Sequence, residues 1–161
     1  MEIYSPGQDL KETFGLEIND AEYISEVNEV CKNPGVIFQE ARFLPHNLLT
    51  NWNDLVKGEL FGDEHTEDFH LDFCRDILFV LENNTTLIRF SDHKVFLKIL
   101  KMIDDKFKIQ TFIPTELQNE KRWWNCSVFK RGTKEYINQI EQDFFDKFKL
   151  HMNFKNQIEQ I

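Results

Sequence analysis

The stretch "DILFVLENNTTLIRFS", residues 76 to 91, decides how the chain is read. Two apolar runs, 77 to 81 and 87 to 90, flank "ENNTT". Asn tolerates left-handed backbone angles, and Ile, Val and Phe favour a pleated surface, so the stretch predicts a β-hairpin. On that reading Phe79, Leu81, Ile88 and Phe90 point into a core.

Working outward, three more segments read as strands. "VIFQEARFL" at 36 to 44 is β-rich and ends at Pro45. "KFKIQTFI" at 106 to 113 alternates and is closed by Pro114, and "RWWNCSVFK" at 122 to 130 completes the set. Helices lie between them. Asn19 or Asp20 caps one that runs to about Lys32, with Tyr23, Ile24, Val27 and Val30 or Cys31 on one face. A second covers 46 to 60, with Leu48, Leu49, Trp52, Leu55 and Val56 at helical spacing. "SDHKVFLKILKMIDD", 91 to 105, places Lys94, Lys98 and Lys101 opposite an apolar face. Gly132 and Thr133 open a long last helix whose stripe is Ile137, Ile140, Phe144, Phe148 and Met152. Residues 1 to 18 read as irregular, broken by Pro6, Gly7 and Gly15. The expected fold is one α+β domain over residues 1–161: a mostly antiparallel sheet of about five strands covered by helices, ending in a long C-terminal helix. Trp52, Ile109 and Phe144 join the hairpin residues in its expected core. One of Trp123 and Trp124 faces inward.

A chain of 161 residues with 41% hydrophobic and 14% aromatic content can build such a core. No apolar run is long enough for a membrane span, and the first residues lack a basic segment followed by an apolar one, so neither membrane nor signal peptide is expected. Cys31, Cys74 and Cys126 are odd in number and form no CxxC, as in a reduced, cytoplasmic protein. Two alanines against thirteen asparagines point to AT-rich codons and a low-GC genome or mobile island.

The net charge is −9 and is unevenly spread. Residues 1 to 80 hold 17 Asp or Glu and 5 Lys or Arg, while residues 81 to 161 hold 11 and 14. An acidic half repels phosphate backbones and attracts a basic partner, although plain solvation also accounts for it. The acids are densest at Asp54, Glu59, Asp63, Glu64, Glu67, Asp68 and Asp72, with Lys57 the one cation among them. His65 and His70 are interleaved. His65, His70 and Cys74 lack the spacing of a zinc site and no HExxH occurs, so no metal is expected. Cys74 with His93 or His151 has no nucleophile signature. GxSxG, Walker and GxGxxG motifs are absent, so no cofactor is expected and the chain does not read as an enzyme. Trp123 and Trp124 beside Lys121 and Arg122 resemble a base-stacking platform, against which the acidic balance argues.

Asn47, Leu48, Trp52 and Leu55 make N-L-x3-W-x2-L. Over nine residues this resembles the second helix of the barstar ribonuclease inhibitors, where acidic side chains plug a basic active site. Leu49 and Asn53 stand where that family has acids, and a generic amphipathic helix explains the same letters. The function expected from these features together is a non-catalytic immunity or antitoxin protein, monomer or weak dimer. It would cover a basic toxin domain, a nuclease, with the seven carboxylates above. The alternatives are an adaptor or structural domain, and an enzyme with a site in the Asp/Glu/His cluster at 63 to 74.

Overall fold

The computed structural model describes residues 6–32, 44–66 and 71–161, without the side chains of 6–8, 44 and 71–72. Among them are six α-helices: α1 (Pro6–Phe14), α2 (Ala21–Lys32), α3 (Leu44–Val56), α4 (Leu71–Glu82), α5 (Ser91–Lys108) and α6 (Lys134–Phe148). The strands are short: β1 (Thr111–Phe112), β2 (Val128–Phe129), β3 (Arg131–Gly132) and β4 (Glu159–Gln160). They form two two-stranded sheets, β1 with β2 antiparallel and β3 with β4 parallel. The expected α+β fold with five antiparallel strands is therefore corrected to a mostly helical one. No helix among the described residues is long and apolar enough to cross a membrane.

The hairpin reading fails at its first arm. Residues 77 to 81 lie in α4, where Ile77, Leu78 and Leu81 are buried and Val80 is exposed. A continuous apolar run fits a buried strand and a buried helix equally, and the flanking Arg75 and Glu82 break the tie. They are seven apart, two helical turns, and Arg75 Nη2 donates to Glu82 Oε2 at 2.8 Å. On a strand an odd separation would put them on opposite faces. The Asn residues do turn the chain, but as a helix link. Asn83 N–H still bonds back to the Phe79 carbonyl, and Asn84 Oδ1 accepts from Thr86 and Leu87 N–H. A 3₁₀ turn over Leu87–Arg89 follows, with Leu87 buried and Ile88 59% exposed.

Other boundaries move for related reasons. The alternation at 106 to 109 belongs to the end of α5. Phe96, Ile99, Leu100, Ile103 and Phe107 form one buried stripe at i, i+3 and i+4 spacing, and Ile109 is left 70% exposed. Of "RWWNCSVFK", a 3₁₀ turn takes Trp123–Cys126 and only Val128–Phe129 pairs as a strand. Trp124 is buried and Trp123 half-buried, with Lys108 Nζ 4.4 Å from its ring centre. Pro6 starts α1 rather than breaking it, since a first-turn residue needs no N–H partner. Gly15, at φ 70°, closes that helix by donating to the Lys11 carbonyl at 2.8 Å. Pro45 likewise sits in the first turn of α3, whereas the strand expected at 36 to 44 lies outside the described residues except for Leu44, which begins α3 instead.

The helices expected at about 20–32, 46–60, 91–105 and from 133 on are present as α2, α3, α5 and α6, with α3 ending earlier, at Val56, α5 running on to Lys108 and α6 ending at Phe148. Asp20 Oδ1 accepts from Glu22 N–H at 2.9 Å, and Thr133 Oγ1 from Tyr136 N–H at 3.2 Å, so both caps act as such. Of the expected core, Trp52, Leu81 and Phe144 are buried, Phe79 and Phe90 half-buried, and Ile88 and Ile109 exposed.

Two compact units result. Unit 1 comprises residues 1–55 and 72–105, and unit 2 residues 56–71 and 106–161. The core of unit 1 gathers Leu10, Tyr23, Val27, Leu48, Trp52, Leu78, Leu81, Phe96 and Ile103. That of unit 2 gathers Trp124, Val128, Phe129, Tyr136, Ile137, Phe144 and Phe154, the last in a tail that returns to pair as β4.

Candidate functional site

The seven carboxylates singled out in the sequence are divided by the fold. Asp54 is exposed in the last turn of α3, and Asp72 is the second residue of α4, both in unit 1. Glu59, Asp63 and Glu64 fall in one loop of unit 2, which the left-handed Gly58 (φ 85°) begins. Glu67 and Asp68 lie outside the described residues, as does His70. Glu59 and Glu64 are exposed. Asp63 is half-buried and shapes the loop: its Oδ1 accepts from His65 N–H at 2.8 Å, and its N–H donates to Thr66 Oγ1 at 2.7 Å. An Asp or Asn here bends the backbone through its own side chain. His65 Nε2 lies 3.4 Å from Glu64 Oε1.

A second acidic segment, passed over in the sequence, is as dense. Asp9, Glu12, Glu17, Asp20, Glu22, Glu26 and Glu29 occupy α1, α2 and the link between them, with Lys11 the one cation in their midst. Two acids of unit 1 serve as caps. Asp20 caps α2, and Asp92 Oδ2 accepts the N–H groups of Asn19 and Asp20 at 3.0 and 2.8 Å. Acids at a helix N-terminus are favoured by the helix dipole.

The most charged interior feature is a network that sequence reasoning missed. Arg75, 1% exposed, holds Asp104 through two bonds of 3.0 Å, Nε to Oδ1 and Nη2 to Oδ2. Trp52 Nε1–H donates to the same Oδ1 at 3.0 Å, and Glu82 closes the group. Burial pushes the Asp104 carboxyl above its usual range, while the Arg75 guanidinium and the Trp52 N–H pull it back. A buried charge persists only when paired and hydrogen-bonded in this way. The one visible signal was an Arg just ahead of an apolar run.

Two buried imidazoles complete the polar interior of unit 1. His46 Nε2 donates to the Ile18 carbonyl at 2.6 Å. His93 Nδ1 lies 2.9 Å from the Tyr23 hydroxyl, and its ring stacks on Phe96. Both are held below the usual histidine range by burial. His93 is thus engaged with Tyr23, and the half-buried Cys74 thiol is pushed up to about 12, against the pull of Arg75. A thiol so raised is a poor nucleophile at neutral pH. His151 stacks on Phe145 in unit 2. All three cysteines are unbridged, and burial pushes Cys31 up to about 11. Among the described residues no three His, Cys, Asp or Glu side chains converge as a metal would require.

Comparisons with protein-family models, curated proteins and solved structures find no match to this chain. What the geometry itself offers is a buried Arg75 and Asp104 with a half-buried Glu82, whose charges pair with one another, and carboxylates that face solvent. Exposed carboxylates of this kind attract and orient cations and cationic surfaces.

Proposed function

We propose that this chain is a non-catalytic, cytoplasmic binding protein whose acidic surface neutralises a basic toxin domain, a nuclease, as an immunity protein does. The observation that supports this reading is the excess of carboxylate, locally in the loop of unit 2 that holds Glu59, Asp63 and Glu64, and more broadly in unit 1. The described residues of unit 1 hold fourteen Asp or Glu against seven Lys or Arg. Arg75 is committed inside, and Lys11, Lys32 and Arg89 already lie against Glu17, Glu29 and Glu26. A nuclease site built to hold phosphate is cationic, so an acidic surface meets it with complementary charge and fast, salt-dependent association. No cofactor enters this reading.

Co-expression with a toxin domain encoded beside this gene tests it: the chain should restore growth. Binding of the two purified proteins should slow as salt rises. Asp63→Asn, Glu64→Gln, Glu67→Gln and Asp68→Asn together should weaken binding about tenfold or more, since ~1.4 kcal/mol suffices. Asn keeps the Oδ1 acceptor that holds the loop at 63, so the fold should survive. Full toxicity in the presence of the chain, or binding indifferent to salt and to the four changes, would sink the proposal.

A further inference from the structure

We propose that unit 2 carries a self-association surface and that its occupant is a second copy of this chain. Backbone register defines the surface. Arg131 pairs with Glu159 and Gly132 with Gln160, and Gly62 bridges Gly132 on the other edge. Gly62 N–H donates to the Arg131 carbonyl and Thr133 N–H to the Gly62 carbonyl, each at 2.9 Å. Ile161 N–H continues the ladder to the Gly132 carbonyl at 2.9 Å. Residues paired in a ladder share a face, and successive residues alternate. Gly62 and Gly132 face the Tyr136 ring, into which a Cβ at either would run. Phe61, Arg131, Glu159 and Ile161 therefore occupy the opposite, outer face. Lys130 N–H donates to the Gln110 carbonyl and Lys130 Nζ to the Ile109 carbonyl, which brings Ile109 to the edge of the same ribbon.

Phe61, Ile109 and Ile161 are 44%, 70% and 48% exposed, and they are the exposed large hydrophobic residues of unit 2 among those described. On that outer face the Arg131 guanidinium stands 3.9 Å from Glu59 and 3.8 Å from Glu159. Both separations exceed a hydrogen bond, so the three groups are available to re-pair. A closed dimer needs a surface complementary to itself, with residue i of one copy meeting residue j of the other and the reverse. One guanidinium flanked by carboxylates, among apolar anchors, meets that condition, as Arg131 of each copy faces Glu159 of its partner. Charge over the molecule favours the same face. Residues 56–71 and 106–161 hold eleven Lys or Arg against twelve Asp or Glu, so two chains of net charge −9 meet there with less repulsion than through the acidic unit 1. Three anchors fall short of a standard interface, and the dimer should be weak and reversible, with a dissociation constant on the order of 100 μM.

Sedimentation equilibrium of the full chain from about 10 μM to about 1 mM tests this. The average mass should climb from 19.3 kDa toward twice that value. Ile109→Glu, at a site exposed enough to leave the fold intact, should weaken association at least tenfold. Ile161→Glu should do the same. Arg131→Glu should also weaken it, and adding Glu159→Arg should restore it. Ile88→Glu and Phe73→Glu, equally exposed changes in unit 1, should leave it unchanged. A mass that stays monomeric throughout overturns the proposal. So does a dimer that survives both isoleucine variants, one that the charge swap does not rescue, or one broken by Ile88→Glu or Phe73→Glu.

Discussion

His46 and His93 hold the segment that leads into α2, one through the Ile18 carbonyl and the other through the Tyr23 hydroxyl. Burial lowers both; the Ile18 carbonyl and Asp92 partly restore His46, and the Glu82 carbonyl partly restores His93. A histidine whose folded pKa lies below its unfolded value, about 6.5, binds protons more readily in the unfolded chain. Its contribution to stability is complete above about pH 6.5 and is lost as pH falls from there through the depressed folded value. Melting temperature should therefore drop on acidification below about pH 6.5, and proton NMR should place both imidazoles under that value. Titration of either above it would contradict the buried-neutral assignment. Arg75 makes a second case at this scale. Arg75→Met strands the Asp104 carboxylate and should cost about 3–5 kcal/mol in urea unfolding. Adding Asp104→Leu should recover part of the loss, because the pair is coupled. Strict additivity of the two changes would mean that it is not.

At the scale of elements, α4 is where helix and hairpin make opposite predictions. A hairpin buries Ile88 along with Leu81, whereas the observed helix, turn and 3₁₀ segment bury Leu81 and expose Ile88. Leu81→Ala should cost about 2–5 kcal/mol through lost transfer energy and a residual cavity. Ile88→Ala should stay within about 0.5 kcal/mol of wild type, as surface changes do. Chemical denaturation of the two variants decides the matter, and equal losses would favour the hairpin. The short β elements depend on unit 2 in a different way. With two residues per strand they carry little stability of their own, and the Tyr136 ring packed under Gly62 and Gly132 supplies the contact that a longer sheet would have made.

Over the whole molecule the imbalance of charge has a cost. Fourteen acids against seven bases in the described part of unit 1 repel one another, most strongly at low salt. Raising ionic strength from about 10 mM to about 150 mM shortens the screening length from roughly 30 Å to roughly 8 Å. The melting temperature should rise over that range. A fall would show that favourable ion pairs outweigh the repulsion. That repulsion, kept rather than diluted, is what a cationic partner would relieve on binding.

Four helices were legible in the sequence because each shows its own period and punctuation. Tyr23, Val27 and Cys31 repeat every four residues behind Asp20. Phe96, Ile99, Leu100 and Ile103 recur at three- and four-residue spacing along α5, and Thr133 announces α6. Such signals are local, and local sequence determines them. The acidic bias was equally plain, although not its division between two units. Only tertiary structure decided α4. Its apolar run has no internal period to separate helix from strand, and its arginine is tolerable only because Asp104, 29 residues away, meets it in the interior. The same holds for the β pairs. Arg131 and Gly132 are extended because Gly62 and Ile161, distant on either side in the chain, donate their N–H groups to the Arg131 and Gly132 carbonyls. A backbone partner far along the chain leaves no mark on the residues that it pairs, whereas a helix satisfies its hydrogen bonds within a few residues and prints its period on its own sequence.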